Sequence, residues 1–218
     1  MTRVDRWLDA ALARQLGQRE TVLAGGAAHV GWKLGMGESE RRGGDPVIGY
    51  LTTATEHLPG GTCEVGGLVS PHADVEVAIE LACDISPDAD VADAASAIGG
   101  WGTALELCDL GNARADAEDV VATNVFHRAF AIGPLQRSAP DGPVGRVLAD
   151  GIELDAAAAE ADYGALLVRV ARLLDAFGLA LRSGDRLITG SIVQVPVRAG
   201  QHVTAELDGL ESVALHLQ

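Results

Sequence analysis

Basic side chains are scarce in this chain of 218 residues, where 16 lysines and arginines stand against 31 aspartates and glutamates. The formal net charge is −15 at pH 7, and a negative field of that size repels phosphate backbones and anionic lipid surfaces. Nucleic acid and membranes are therefore not expected as partners. An anionic substrate would have to be bound locally, by one of the few cations or by backbone N–H groups.

Cysteines and long apolar runs are also few. The three cysteines, Cys63, Cys83 and Cys108, form no CxxC pair, which argues against both a disulfide framework and a zinc ribbon. No stretch approaches the ~20 apolar residues that a membrane helix needs, and the first residues contain no long apolar signal-peptide core. These absences predict a cytoplasmic protein with free thiols.

The remaining composition is ordinary, with 48% hydrophobic and 22% charged residues, so the chain is expected to fold as one domain. Strands interrupted by only a few helices, without regular βαβ alternation, favour an α+β, mainly β fold with a curled mixed sheet. The patterns predict strands near 29–35, 75–81, 101–108, 126–132, 187–189 and 192–197, and helices over 4–16, 86–98 and 163–177. They also predict two hairpins, one over 144–154 that turns at Asp150-Gly151 and one over 203–217 that turns near Asp208-Gly209.

Two further segments are distinguished by composition. Residues 1–24 are expected to form an N-terminal helical arm, and residues 25–218 the main domain. The glycine-rich residues 37–49 read as a surface loop that could close over a site as a lid.

Three acidic residues on two predicted strands are the first candidates for chemistry. Asp74 and Glu76 are two apart in an alternating strand, so both carboxylates leave the same face. Glu106 lies between apolar neighbours on another strand, where a charge needs a partner. Three carboxylates with room for water suit Mg²⁺ or Mn²⁺ better than Zn²⁺. The alternative is a solvated acidic strand face with Glu106 paired to an arginine.

Other candidates are weaker when each is taken alone. Lys33 lies between Trp32 and glycines, where an ammonium could be partly desolvated and its pKa lowered, although a solvated lysine is the alternative. The turn Thr189-Gly190-Ser191 could hold an anion or be an ordinary turn. Asn124 could orient a ligand or close an Asx turn.

Read in order, these segments form a series that resembles a known family. The series is Gly31-Trp32-Lys33-Leu34-Gly35, Ser70-Pro71-His72-Ala73-Asp74-Val75-Glu76-Val77-Ala78, Ala104-Leu105-Glu106-Leu107-Cys108-Asp109, Asp119-Val120-Val121-Ala122-Thr123-Asn124, Ile188-Thr189-Gly190-Ser191 and Val195-Pro196-Val197-Arg198-Ala199-Gly200. It resembles the 2-keto-4-pentenoate hydratase and 4-oxalocrotonate decarboxylase family of the fumarylacetoacetate hydrolase superfamily, over roughly residues 28–218.

The resemblance implies a fold and a set of site residues. The expected fold is a mixed β-sandwich roll of the fumarylacetoacetate hydrolase C-terminal type with peripheral helices, in which residues 25–218 are the catalytic domain. The implied metal ligands are Asp74, Glu76 and Glu106, holding Mg²⁺ (or Mn²⁺). Lys33 matches the family's lysine near the metal, a candidate acid/base or carboxylate partner, and Ser191 matches the serine of its Thr-Gly-Ser turn beside the substrate. These two are the implied catalytic residues. Asn124, Thr189 and Gly190 are the implied substrate-binding residues.

Several positions depart from the family pattern. Asp74 stands where glutamate is usual, and Asp109-Leu110-Gly111 stands where Asp-Ser-Arg is common, so an arginine is missing. Thr123 replaces an aspartate, and Ala161-Asp162-Tyr163 replaces Gly-His-Pro. These changes leave the implied metal-binding positions acidic and alter residues that would line the substrate site.

The expected function is that of a metal-dependent lyase, either a hydratase or a decarboxylase. It would act on a small 2-hydroxy-dienoate or 2-oxo-enoate from aromatic catabolism, through a metal-chelated enolate. One alternative is a hydrolase that cuts a C–C bond of acylpyruvates, with a base among His29, Glu38 and Glu40. The other is a catalytically degenerate partner subunit, and an unrelated acidic binding module is the residual reading. The family habit also implies a homo-oligomer.

Overall fold

Two β-sheets packed face to face form the centre of the chain, which a computed structural model describes over residues 3–35, 47–112 and 116–218. The strands are β1 (His29–Gly35), β2 (Val47–Thr52), β3 (Thr62–Cys63), β4 (Pro71–Leu81), β5 (Ile98–Asp109), β6 (His127–Ile132), β7 (Val144–Ala149), β8 (Ile152–Ala158), β9 (Arg186–Ile188), β10 (Val193–Pro196), β11 (His202–Leu207) and β12 (Val213–Leu217). The helices are α1 (Arg3–Ala24), α2 (Val91–Ser96), α3 (Ala117–Ala122) and α4 (Tyr163–Asp175), with a 3₁₀ turn at Leu110–Asn112. The predicted α+β, mainly β fold class is confirmed.

Both sheets are mixed. The larger has the order β2-β1-β9-β4-β5-β6 with β10 also paired to β4, and β1 runs parallel to β9. The smaller has the order β3-β12-β11-β7-β8, and β12 runs parallel to β3. The predicted hairpin turns lie where expected, because Asp150, Gly151 and Gly209 adopt the positive φ angles that such turns require.

The strand β4 separates two environments. Val75, Val77 and Ile79 point into the core between the two sheets, where they join Val147 and Val203 of the smaller sheet. The opposite face of the larger sheet carries a second apolar cluster, made of Leu51, Ala78, Ala104, Phe130, Ile132 and Ile188. Since side chains alternate along a strand, Asp74 and Glu76 lie on this second face, beside the apolar cluster.

One predicted helix is displaced. A helix was expected to begin at Ser86-Pro87-Asp88, but α2 begins only after Asp90, whose carboxylate accepts a 2.8 Å hydrogen bond from the Asp93 N–H. The Ser86 hydroxyl instead accepts a 3.2 Å bond from the Asp88 N–H and closes a turn. The local cap at Asp90 therefore sets the start of the helix.

The N-terminal helix is longer than predicted, because α1 continues past Gly17 to Ala24. It lies against α3 and β2 through the buried side chains of Ala11, Leu12 and Gln15. The Gln15 amide donates to the carbonyls of Ile48 (3.0 Å) and Val121 (2.6 Å). These contacts offset the cost of a glycine inside the helix, which is about 1 kcal/mol relative to alanine.

Replacement of that glycine is expected to stabilise the protein. A methyl group at Gly17 would meet no atom within 4 Å, so Gly17→Ala removes backbone freedom from the unfolded chain without a clash. We expect a gain of about 0.5–1 kcal/mol in the free energy of unfolding, measured by urea denaturation. A loss of stability would mean that α1 is not helical across this position.

None of the helices within the described residues is long and apolar enough to cross a lipid bilayer.

Candidate metal centre

Strand pairing brings the three predicted acidic residues to one place. In the antiparallel pair of β4 and β5, Asp74 lies directly opposite Glu106, so both side chains leave the same face of the sheet. Glu76 follows two residues later on that face. Their exposed fractions are 3% for Asp74 and 1% for both Glu76 and Glu106. The alternative of a solvated acidic face is therefore wrong, and the burial of three carboxyl groups requires compensation.

Lys33 supplies part of that compensation. Its Nζ donates a 2.5 Å hydrogen bond to Oε1 of Glu106 and a 3.0 Å bond to the carbonyl of Val125. The lysine is itself buried, so the alternative of a solvated lysine is also wrong. The partner of Glu106 is this lysine on β1, where an arginine had been the alternative expectation.

His127 binds the same carboxylate from β6. Its Nδ1 lies 2.6 Å from Glu106 Oε1, and its Nε2 lies 3.0 Å from the hydroxyl of Thr55. Lys33 and His127 both bind Oε1 of Glu106, so neither of these two bonds uses Oε2. The arrangement fixes the orientation of the carboxylate.

A glycine on β2 leaves room for the side chain of Lys33. Gly49 is the strand partner of Lys33, and a Cβ there would lie 2.7 Å from Lys33 Cγ and 2.6 Å from the side-chain oxygen of Asn124. A Cβ essentially never approaches another atom to within 3.0 Å, so only glycine leaves room for both side chains.

The turn before β6 is strained and is held by Asn124. Asn124, Val125 and Phe126 have φ angles of 63°, 52° and 62°, a conformation that is costly for a β-branched residue. The Asn124 side chain accepts from the Tyr50 N–H at 2.8 Å and donates to the Tyr50 carbonyl at 3.1 Å. The turn directs the Val125 carbonyl onto Lys33. The amide of Asn124 thus serves the protein's own backbone, and its contact with a substrate stays a prediction.

The predicted Thr-Gly-Ser turn adjoins the cluster through Glu76. Gly190, at a positive φ of 108° that favours glycine, donates its N–H to Glu76 Oε2 at 2.7 Å. The Thr189 hydroxyl donates to the carbonyl of Val77 at 3.0 Å, which anchors the turn to β4. Ser191 is exposed next to these two residues. Its role towards a substrate stays a prediction.

The ionisation of the cluster is uneven. Burial raises the pKa of Asp74 and of Glu76, and the negative charge of Glu106 raises both further. Burial also acts to raise the pKa of Glu106, but Lys33 and His127 outweigh it and bring that pKa down to about 2. Burial lowers the pKa of His127. The cluster is therefore short of positive charge.

The pKa of Lys33 moves in the direction opposite to the sequence-based expectation. Burial by itself lowers it, but the charges of Glu106 and Glu76 and the hydrogen bond to Glu106 outweigh burial, so the pKa of Lys33 is raised. The expectation of a lowered pKa considered the burial of Lys33 without its carboxylate partner. In this structure Lys33 is a firmly held cation.

The donor set fits a divalent cation. Ligand atoms of Asp74, Glu106 and Cys108 all lie within 4.8 Å of one another. Asp74 Oδ2 accepts a 3.0 Å bond from the Gln194 amide, whereas Oδ1 is buried and has no hydrogen-bond partner among the described residues. A buried carboxylate oxygen without a donor is costly. A cation at this position would satisfy it.

Two members of this neighbourhood, His127 and Cys108, were not predicted from the sequence as site residues. Cys108 could have been found, because it is two residues after Glu106 on the same strand and shares its face. His127 could not, because the pairing of β5 with β6 shifts register between Leu107 and Cys108. That irregularity brings His127 to the same side as Phe130, although the two are three positions apart and a regular strand would put them on opposite faces.

The other predicted features lie elsewhere. His29, one candidate base, pairs with Asp185 at 3.2 Å. Glu38, Glu40 and residues 37–46 of the predicted lid lie outside the described residues, and Val47 to Gly49 belong to β2.

A cavity of about 370 Å³ is lined by Val69, Asp109, Gly111, Val120, Thr123, Phe126 and Arg128. It shares no residue with the carboxylate cluster and is a separate feature.

Comparison with known proteins finds similar folds among solved structures. Neither a protein-family model nor a curated protein matches the sequence at a significant level. Among solved structures, 4-oxalocrotonate decarboxylase from Pseudomonas putida G7, complexed with magnesium and adipate, has a TM-score of 0.87 and 22% identity, covering 97% of this chain and 86% of that one.

More distant structures share the fold. Fumarylpyruvate hydrolase from Pseudomonas aeruginosa, in complex with Mn²⁺ and pyruvate, has a TM-score of 0.65 and 15% identity, covering 87% of this chain and 89% of that one. The 2-hydroxyhepta-2,4-diene-1,7-dioate isomerase from Mycobacterium marinum has a TM-score of 0.66 and 17% identity, covering 88% and 76%. The fold that the resemblance implied is confirmed by these likenesses.

Proposed function

We propose that this protein is a divalent-metal-dependent lyase, a hydratase or decarboxylase, that acts on a small 2-hydroxy-dienoate or 2-oxo-enoate. The observation that carries the proposal is the buried group of Asp74, Glu76 and Glu106 around one lysine, beside the apolar cluster on the same sheet face. Its neighbours in fold support it, since two of them hold a divalent metal together with a small carboxylic acid.

Asp74, Glu76 and Glu106 would hold Mg²⁺ (or Mn²⁺), the cations that carboxylate oxygens suit best. When bound, such a cation acts as a Lewis acid that binds the carboxylate and 2-oxygen of the acid and stabilises negative charge developing there. Three carboxylates, one dication and the ammonium of Lys33 sum to zero charge. A 2-oxo acid would therefore enter a nearly neutral site, despite the acidity of the whole chain.

The protein's own groups would orient the reactants. Lys33 holds a proton at Nζ beside Glu106 and can bind or protonate a negatively charged oxygen of the substrate. The Gly190 N–H fixes Glu76, and Ser191 on the same turn, which is exposed, would contact the substrate. The apolar cluster around Phe130 lies on the same sheet face as the carboxylates, and by limiting the access of water it would strengthen each electrostatic contact.

A second candidate is a hydrolase that cleaves a C–C bond of acylpyruvates. Two observations favour it. His127 binds Glu106, and hydrolysis needs a base near the metal. The fold is also similar to that of fumarylpyruvate hydrolase. We rank it second because both ring nitrogens of His127 already have partners within the protein, Glu106 and Thr55. A catalytically degenerate partner subunit is the third reading, and the expected homo-oligomer stays a prediction.

Calorimetric titration tests the proposal. Metal-stripped protein should bind Mg²⁺ or Mn²⁺, and the loaded protein should then bind oxalate, a mimic of a chelated 2-oxo-acid enolate, whereas oxalate should not bind in the presence of a chelator. Loaded protein is then assayed with dienoates and acylpyruvates, and faster turnover of acylpyruvates would select the hydrolase. Absence of both metal and oxalate binding would contradict a metal enzyme and favour the degenerate subunit.

A further inference from the structure

The metal centre contains a thiol in addition to its carboxylates. Cys108 is 3% exposed, on the same face of β5 as Glu106, and its thiol donates a 3.8 Å hydrogen bond to Oδ2 of Asp74. Among the described residues, the one group of at least three potential metal-binding side chains whose ligand atoms lie within 4.8 Å of one another is Asp74, Glu106 and Cys108. Glu76 is not part of it, and one of its oxygens already accepts the Gly190 N–H.

The spacing of these donors fits direct coordination. Oxygen and sulfur ligands bound at about 2.1 and 2.3 Å, and separated by a tetrahedral angle, lie about 3.6 Å apart. The observed distance of 3.8 Å between Sγ and Asp74 Oδ2 is close to that value. The buried oxygen Oδ1 of Asp74 has no hydrogen-bond partner among the described residues, and this independently supports a cation-binding position here.

We propose that Cys108 is a metal ligand, and that it makes this centre bind thiophilic divalent cations of the Co²⁺ and Zn²⁺ type more tightly than three carboxylates would. This inference rests on the proposed metal site. Sulfur is a soft ligand that favours such cations and gives little to Mg²⁺, whose ligands are oxygens. For such a cation the ligands would be Asp74, Glu106 and Cys108, while Glu76 stays on the Gly190 N–H. These three ligands leave an open coordination position, as catalytic zinc sites do. The thiol proton is released to the buffer when the metal binds.

Spectroscopic titration with Co²⁺ tests the inference without any substrate. A cobalt–thiolate bond gives a sulfur-to-metal charge-transfer band in the near ultraviolet, whereas carboxylate ligands give none. Wild-type protein should show this band at one equivalent of Co²⁺. Cys108→Ser should lose the band and bind Co²⁺ more weakly by about tenfold or more, while its affinity for Mg²⁺ stays within about threefold.

Matched variants keep the result interpretable. Cys83→Ser, which changes an exposed thiol, should keep the band and the Co²⁺ affinity of the wild type. Cys108→Ala provides a second test if the serine variant does not fold, and circular dichroism checks both. A band that survives in Cys108→Ser, or that disappears in Cys83→Ser, would overturn the inference.

The outcomes also separate this inference from the proposed function. Metal-dependent oxalate binding without a charge-transfer band would leave the lyase proposal standing and overturn the role of Cys108. A band without metal-dependent oxalate binding or turnover would support the thiolate site and contradict the enzyme. Absence of binding of any tested metal would overturn both.

Discussion

Glu106→Gln is expected to abolish metal binding and metal-dependent oxalate binding. The carboxylate lies directly opposite Asp74 and belongs to the donor group, and an amide offers one weak neutral oxygen in place of a charged one. Loss of one ligand and one negative charge should raise the Kd for Mn²⁺ by about 100-fold or more. Isothermal titration of the metal-stripped variant measures the change.

The same substitution should cost stability. From the sequence alone the fold would be expected to stay nearly intact, but the structure pairs Glu106 with Lys33 at 2.5 Å in the interior. Removal of one partner of a buried ion pair leaves an uncompensated charge, at a cost of about 3–5 kcal/mol. Urea denaturation of the metal-free proteins should show this loss in the free energy of unfolding.

Glu80→Gln is the matched control for Glu106→Gln. Glu80 belongs to β4 and pairs with Arg186 at 3.0 Å, but its side chain is 36% exposed. A pair of that kind contributes about 0–1 kcal/mol, so the control should bind Mn²⁺ as the wild type does and lose little stability. Wild-type affinity for Mn²⁺ in Glu106→Gln would contradict the assignment of the metal centre.

Lys33→Met is expected to have the opposite signature, with metal binding kept and function lost. Without the ammonium, the carboxylates repel one another more strongly, so the metal-free protein should lose about 3–5 kcal/mol of stability. A divalent cation replaces the missing positive charge and should restore much of that loss. The gain in melting temperature on addition of Mn²⁺ should therefore be larger in Lys33→Met than in the wild type.

Turnover should nevertheless fall in Lys33→Met, by about 10²–10⁴-fold if Nζ delivers a proton or binds the developing charge. Arg186→Met is the control, because Arg186 pairs with Glu80 and Glu56 on the same sheet without touching the cluster. It should keep both metal binding and turnover. Full activity of metal-loaded Lys33→Met would remove this lysine from the mechanism, and loss of Mn²⁺ binding would make it a structural partner of the site instead.

Some features of this protein follow from local sequence patterns. Alternation in β4 is a property of the strand itself, so it correctly separated Val75 and Val77 from Asp74 and Glu76. The turn residues at Asp150 and Gly151 likewise predicted the β7–β8 hairpin, because backbone conformation there depends on the residue itself. Local signals failed where two of them competed, as at Ser86 and Asp90, where the later cap begins the helix.

The surroundings of each charge depended on contacts between distant parts of the chain. Lys33 and Glu106 are 73 positions apart, and His127 and Glu106 are 21 apart with a register shift between their strands. A pKa depends on the final positions of such neighbours, which is why the predicted lowering of the pKa of Lys33 was wrong.

The sequence by itself determined which side chains share a face of each strand, because the two-residue period is set by the backbone, and it placed Asp74, Glu76 and Glu106 on strands. Tertiary structure alone decided that these carboxyl groups are buried, that Lys33 and His127 bind one oxygen of Glu106, and that Cys108 lies 3.8 Å from Asp74. Pairing register and packing between the sheets set those distances, and neither is a property of any single segment.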